Sequence, residues 1–174
     1  MSGISSVPVF YDIEASSLEG FPIEIGWARA DLASGTILSE GHLIRPPPDW
    51  DLRATWDESA ASRHRIALDE LWRLGRPVLE IARRMNDTLR DSELFADSPF
   101  DEAWLRQLFD TAGMEPEFSV RRTDPAVLIA GLAGDRATYA NAKRKALRTA
   151  PPKHRAEADA RHWAVLWAEI ARSG

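Results

Sequence analysis

The chain has 174 residues, 27 acidic against 22 basic side chains for a formal net charge of -5, 44% hydrophobic residues and no cysteine. That is chain enough for one domain with a sizeable core, expected over residues 1 to 174. Missing cysteine excludes disulfides, a thiolate nucleophile and sulfur-bound zinc, no apolar run approaches the roughly 20 residues that cross a bilayer, and the negative balance disfavours coating duplex DNA by bulk positive charge.

The opening MSGISSVPVFYD lacks the charged and then apolar regions of a secretory leader, so a cytoplasmic protein is expected. Residues 7 to 13 and 21 to 29, rich in β-branched and aromatic side chains, read as paired strands across Gly20 and Pro22. A third strand is predicted over residues 35 to 44 and is stopped by Pro46, Pro47 and Pro48. Residues 45 to 62 then read as a loop. Ile66, Leu68, Leu71 and Trp72 predict a short helix that Gly75 ends, and Val78, Leu79, Ala82, Met85 and Leu89 a longer one with Pro77 near its first position. Residues 93 to 97 suggest a short buried strand, followed by a helix from Asp101 to Ala112 closed by Gly113. One more strand near residues 117 to 121 and helices over 124–132, 135–149 and 154–172 complete the chain. Three strands followed by alternating strands and helices predict an α/β fold, a mixed five-stranded sheet flanked by helices.

Three acidic positions stand out. Asp12-Ile13-Glu14 ends the first strand, and residues two apart on a strand share a face with Cα atoms roughly 6.5 to 7 Å apart. Such a pair can hold a divalent cation, and carboxylates at the end of a buried strand are costly to place without one. Asp101 opens a helix, where it also suits the helix dipole, and Asp97 competes with it for any metal role. His154 precedes Asp159 by five residues at the start of the last helix, so both can reach one site. Glu24 reads equally as a supporting partner or a plain strand residue.

Taken in order, these motifs resemble the DEDDh branch of 3′-5′ exonucleases, which includes ribonuclease T, the DNA polymerase III proofreading subunit and oligoribonuclease. The first motif matches Asp12-Ile13-Glu14-Ala15-Ser16-Ser17-Leu18, the second strand Ile23-Glu24-Ile25-Gly26, the second motif Phe100-Asp101 with Trp104 and Leu105, and the third His154-Arg155-Ala156-Glu157-Ala158-Asp159-Ala160. Ala96-Asp97 stands where relatives carry His-Asn, and Ser17 where they carry glycine.

The resemblance implies a ribonuclease-H-like fold and hydrolysis of phosphodiesters from the 3′ end of single-stranded DNA or RNA, releasing nucleoside 5′-monophosphates. Two Mg²⁺ or Mn²⁺ would sit on Asp12, Glu14, Asp101 and Asp159, hard oxygen ligands suited to those ions, with His154 as general base. Ser16, Ser17 and Leu18 lie where relatives hold the terminal nucleotide, and His64 where they often have a His-Gly-Ile substrate contact. Phe100 offers either an aromatic edge for stacking or a core side chain. Lys143 and Arg144 lead a basic segment that either tracks phosphates or is a solvated helix face. Trp163, Leu166, Trp167 and Ile170 form a helical stripe suited to a core or a subunit interface. A homodimer and a polymerase partner are expectations by resemblance. The alternatives are a polymerase-bound proofreading or repair accessory and a catalytically idle nucleic-acid-binding module.

Overall fold

The computed structural model describes residues 7–173, so the segment 1–6, on which the expected lack of a leader partly rests, lies outside the described residues. Strands β1 (Val9–Ala15), β2 (Pro22–Asp31) and β3 (Thr36–Arg45) form an antiparallel meander, and β5 (Glu93–Phe95) and β6 (Ser119–Arg121) extend it in parallel on the far side of β1. All five expected strands are present. A sixth, the two-residue β4 (Arg76–Pro77), pairs in parallel with β3 and corrects the expected five-stranded count, giving the order β4-β3-β2-β1-β5-β6. It escapes a reading by alternation because two residues show none.

Helices α2 (Leu68–Leu74), α3 (Val78–Leu89), α4 (Pro99–Ala112), α5 (Pro125–Ala133), α6 (Arg136–Thr149) and α7 (Ala156–Ala171) occupy the expected places. Pro77 is the cap of α3 rather than its first residue. The loop expected over residues 45 to 62 is corrected in part by α1 (Glu58–His64). Its sequence, ESAASRH, has no apolar period, and the helix is held by the Asp57 side chain, which accepts from Ser59 N at 2.7 Å and Ala60 N at 3.3 Å. Among the described residues no helix is long and apolar enough to cross a membrane.

Strand β1 is the centre of the sheet, and its alternation sorts two cores. Val9, Tyr11 and Ile13 pack with Ile81, Met85, Leu105 and Leu108 from α3 and α4, while Phe10 joins Ile129, Ala146, Ala160 and Trp167 from α5, α6 and α7 on the opposite face. Asp12 and Glu14 share the second face with Phe10, where α7 crosses. The Leu166, Trp167 and Ile170 stripe is core.

Candidate active site

The register of the meander aligns Asp12 with Gly26 and Gly41, and Glu14 with Glu24 and Leu43. Gly26 leaves a gap that the backbone of α7 fills, since a Cβ there would lie 2.2 Å from Glu157 N. Over Gly41 it would meet the Glu157 side chain at 2.7 Å. The missing side chains let the start of α7 rest directly on the sheet beside the two β1 carboxylates.

Glu24, 5% exposed, fixes that contact chemically. Its carboxylate accepts from Ala156 N at 2.9 Å and from the Arg155 guanidinium, with Nη2 to Oε1 at 2.6 Å and Nε to Oε2 at 3.0 Å. One buried group therefore caps α7 and clamps the residue after His154. His154 takes a left-handed backbone, φ 53°, in the loop before the helix. From this loop Lys153 N and His154 N donate to the Asp159 carboxylate at 2.6 and 3.2 Å. Behind it, His162 Nδ1 donates to Ala150 O at 2.8 Å. The loop is thus tied at both ends, and the His154 side chain is exposed at the site.

Helix α4 begins four residues after the end of β5, the parallel neighbour of β1, so its first turn opens at the same end of the sheet. Asp101 is 1% exposed, and its Oδ2 has no hydrogen-bond partner. The structure places His154, Asp12, Glu14, Asp101 and Asp159 in two groups, which sense each other's charge through Asp12. Ligand atoms of Glu14, His154 and Asp159 lie within 4.8 Å of one another, as do those of Asp12, Asp97 and Asp101.

The crowding shows in the acidities. Burial, then the neighbouring Asp101, Glu14, Asp159 and Asp97 charges, holds Asp12 well above the carboxylate range. Glu14 is pushed up to about 7 by burial and by Asp159 and Glu24, with Arg155 and Arg63 pulling the other way. Asp101 is pushed up to about 8 by burial and Asp97. Groups that hold protons this tightly, with a buried carboxylate oxygen left unpartnered, have the donor chemistry of a divalent-cation site.

A cleft of about 180 Å³ opens beside Glu14 and His154, lined by Ser17, Leu18, His64 and Trp104. His64, 2% exposed, accepts from Ile66 N at its Nδ1, which leaves the ring proton on Nε2, and Nε2 is buried without a partner. Burial holds this ring below its ordinary range, in the neutral form. Ser16 is turned inward instead: its Oγ accepts from Phe21 N at 3.0 Å and bonds Thr55. Phe100 is 44% exposed and stacked on Trp104, so it is not a core side chain. Lys143 and Arg144 are exposed on α6 and do not line this cleft.

Asp57 and Arg63 of the α1 region also line the cleft, and no motif pointed to them. Trp163, expected in a core stripe, donates its indole N–H to Asp97 Oδ2 at 3.3 Å. Its place four residues after Asp159, on the same helix face, is a signal that could have linked it to the site.

No family model and no curated protein matches the chain. Solved structures do. E. coli exonuclease I in complex with a dA16 oligonucleotide superposes with a TM-score of 0.68 at 16% identity, over 97% of this chain and 41% of that one. Exonuclease X in complex with 5′-overhanging duplex DNA gives 0.54 at 20% identity, over 95% of this chain and 92% of that one. The chain shares the fold of these two structures, a mixed sheet flanked by helices. It spans about two fifths of the length of exonuclease I.

Proposed function

We propose that this protein is a metal-dependent 3′-5′ exonuclease of the DEDDh type, acting on single-stranded nucleic acid. The observation that carries the reading is the convergence of Asp12, Glu14, Asp101, His154 and Asp159, from one strand, two helices and a loop, at one end of the sheet. The likeness to exonucleases I and X supports it, as does the oligonucleotide bound to exonuclease I.

Asp12, Glu14, Asp101 and Asp159 would hold two Mg²⁺ or Mn²⁺ ions. When bound, such ions activate a water and neutralise charge at the leaving 3′ oxygen. His154 accepts the proton of the attacking water, a role typically worth about 10² to 10⁴-fold, and its tied loop keeps it over Glu14 and Asp159 without further ordering. The terminal nucleotide lies in the cleft against Leu18, with the backbone at Ser16 and Ser17 beside it. Among the described residues the His64 Nε2–H is the buried side-chain donor of this cleft without a protein partner, and it offers a hydrogen bond to the substrate. Phe100 and its partner Trp104 give an aromatic surface for a base. The product is a nucleoside 5′-monophosphate.

The test is the p-nitrophenyl ester of thymidine 5′-monophosphate, which presents one nucleotide and a coloured leaving group. Release of nitrophenolate with Mg²⁺ or Mn²⁺, lost in EDTA and reduced at least 10²-fold by Asp12→Asn and by His154→Ala, is expected. Equal rates for the wild type and both variants would refute the assignment.

A further inference from the structure

The four carboxylates of the resemblance leave out a fifth at the same site. Phe10 pairs with Phe95 in the parallel β1–β5 ladder, and two residues further along each chain come Asp12 and Asp97. The ladder ends at Phe95, and Asp97 lies just beyond it in the link between β5 and α4. Ligand atoms of Asp12, Asp97 and Asp101 come within 4.8 Å of one another, and Asp101 contributes its buried, unpartnered Oδ2 to the group. Three carboxylates this close repel unless a proton or a cation intervenes.

Asp97 is also the only one of the three held by an aromatic donor. Trp163 Nε1 donates to Asp97 Oδ2 at 3.3 Å, fixing the side chain while its other oxygen keeps its acceptor capacity. An asparagine at this position would bring a neutral carbonyl; the aspartate brings a full negative charge. Its exposure gives an ion arriving from solvent a route to the buried oxygen of Asp101.

We propose that Asp97 is a fifth carboxylate ligand of the divalent-cation site, acting with Asp12 and Asp101, and that Trp163 positions it. The inference rests on the metal-dependent reading above. It gives this chain a cation site with one more charged ligand than the resemblance implies, able to take up an ion before nucleic acid arrives.

Mn²⁺ titrated into the full chain without nucleic acid, followed by calorimetry and by Mn²⁺ paramagnetic resonance, tests it. Asp97→Asn should weaken binding by about 10 to 100-fold, and Trp163→Phe by about 10-fold, with circular dichroism unchanged. Asp12→Asn is the control for the site as a whole. If Asp97→Asn binds Mn²⁺ with wild-type affinity and stoichiometry while Asp12→Asn loses it, the fifth ligand is overturned and the metal site stands. If the wild type binds no Mn²⁺, or Asp12→Asn binds as the wild type does, the metal reading fails and the fifth ligand with it.

Discussion

Glu14 and Asp101 hold protons up to about 7 and about 8, because burial and neighbouring carboxylates penalise their charged forms. A raised carboxylate pKa means that the folded state binds more protons than the unfolded one. That stability is fully present below the unfolded values near 4 and is lost as pH rises through the folded ones. His42 and His64, both lowered by burial, act in the opposite sense up to the ordinary imidazole value of 6.5, so the diagnostic window lies above that. Between pH 6.5 and 8.5 in EDTA the protein should lose about 2 kcal/mol, a fall in Tm of about 4 to 8 °C for a domain of this size. Excess Mg²⁺ should remove most of the fall, because the cation takes over from the proton. A Tm that is flat or rising across that window in EDTA would contradict the electrostatics of the site.

At the scale of elements, the decisive contact is the start of α7 on β2. Gly26→Ala puts a methyl group against the α7 backbone and should cost about 1 to 3 kcal/mol, read by thermal unfolding. An unchanged Tm would show that the helix does not rest there. Glu24→Gln keeps the volume but loses the charge that clamps Arg155, so the His154 loop loosens. Its kcat should fall about 10 to 100-fold while Mn²⁺ affinity at Asp12 and Asp101 holds, and a loss confined to KM would point elsewhere. The Glu24–Arg155 clamp was not legible in the sequence, because it joins residues 131 positions apart and needs the sheet register to be seen. Asp12, Glu14, Asp101, His154 and Asp159 were singled out by the order of their motifs, because each alone reads as ordinary strand or helix-start chemistry. Helix α1 was not, because its stability comes from the Asp57 cap rather than from an apolar stripe.

Over the whole molecule, a chain of net charge -5 that acts on nucleic acid as proposed would meet a polyanion, so attraction would have to be local. Lys145 is paired with Glu169 at 2.6 Å, and Lys143 and Arg144 are exposed beside it on α6. If both contact phosphates, a Lys143→Glu, Arg144→Glu protein should flatten the logarithmic salt slope of single-strand binding by about 1.4. An unaltered slope would assign them to a solvated helix face. The first three strands were readable because each is rich in β-branched or apolar residues and bounded by turn residues or prolines, while the two-residue β4 offers no pattern to read. Sequence says nothing of DNA against RNA, since recognition of the 2′-hydroxyl depends on contacts that spacing does not encode. A time course on 5′-labelled single-stranded DNA and RNA with Mg²⁺, comparing wild type with Asp101→Asn, tests the central claim most directly. The account predicts a ladder shortening one nucleotide at a time from the 3′ end of at least one substrate and lost in the variant; internal cuts, or an equal ladder from Asp101→Asn, would contradict it.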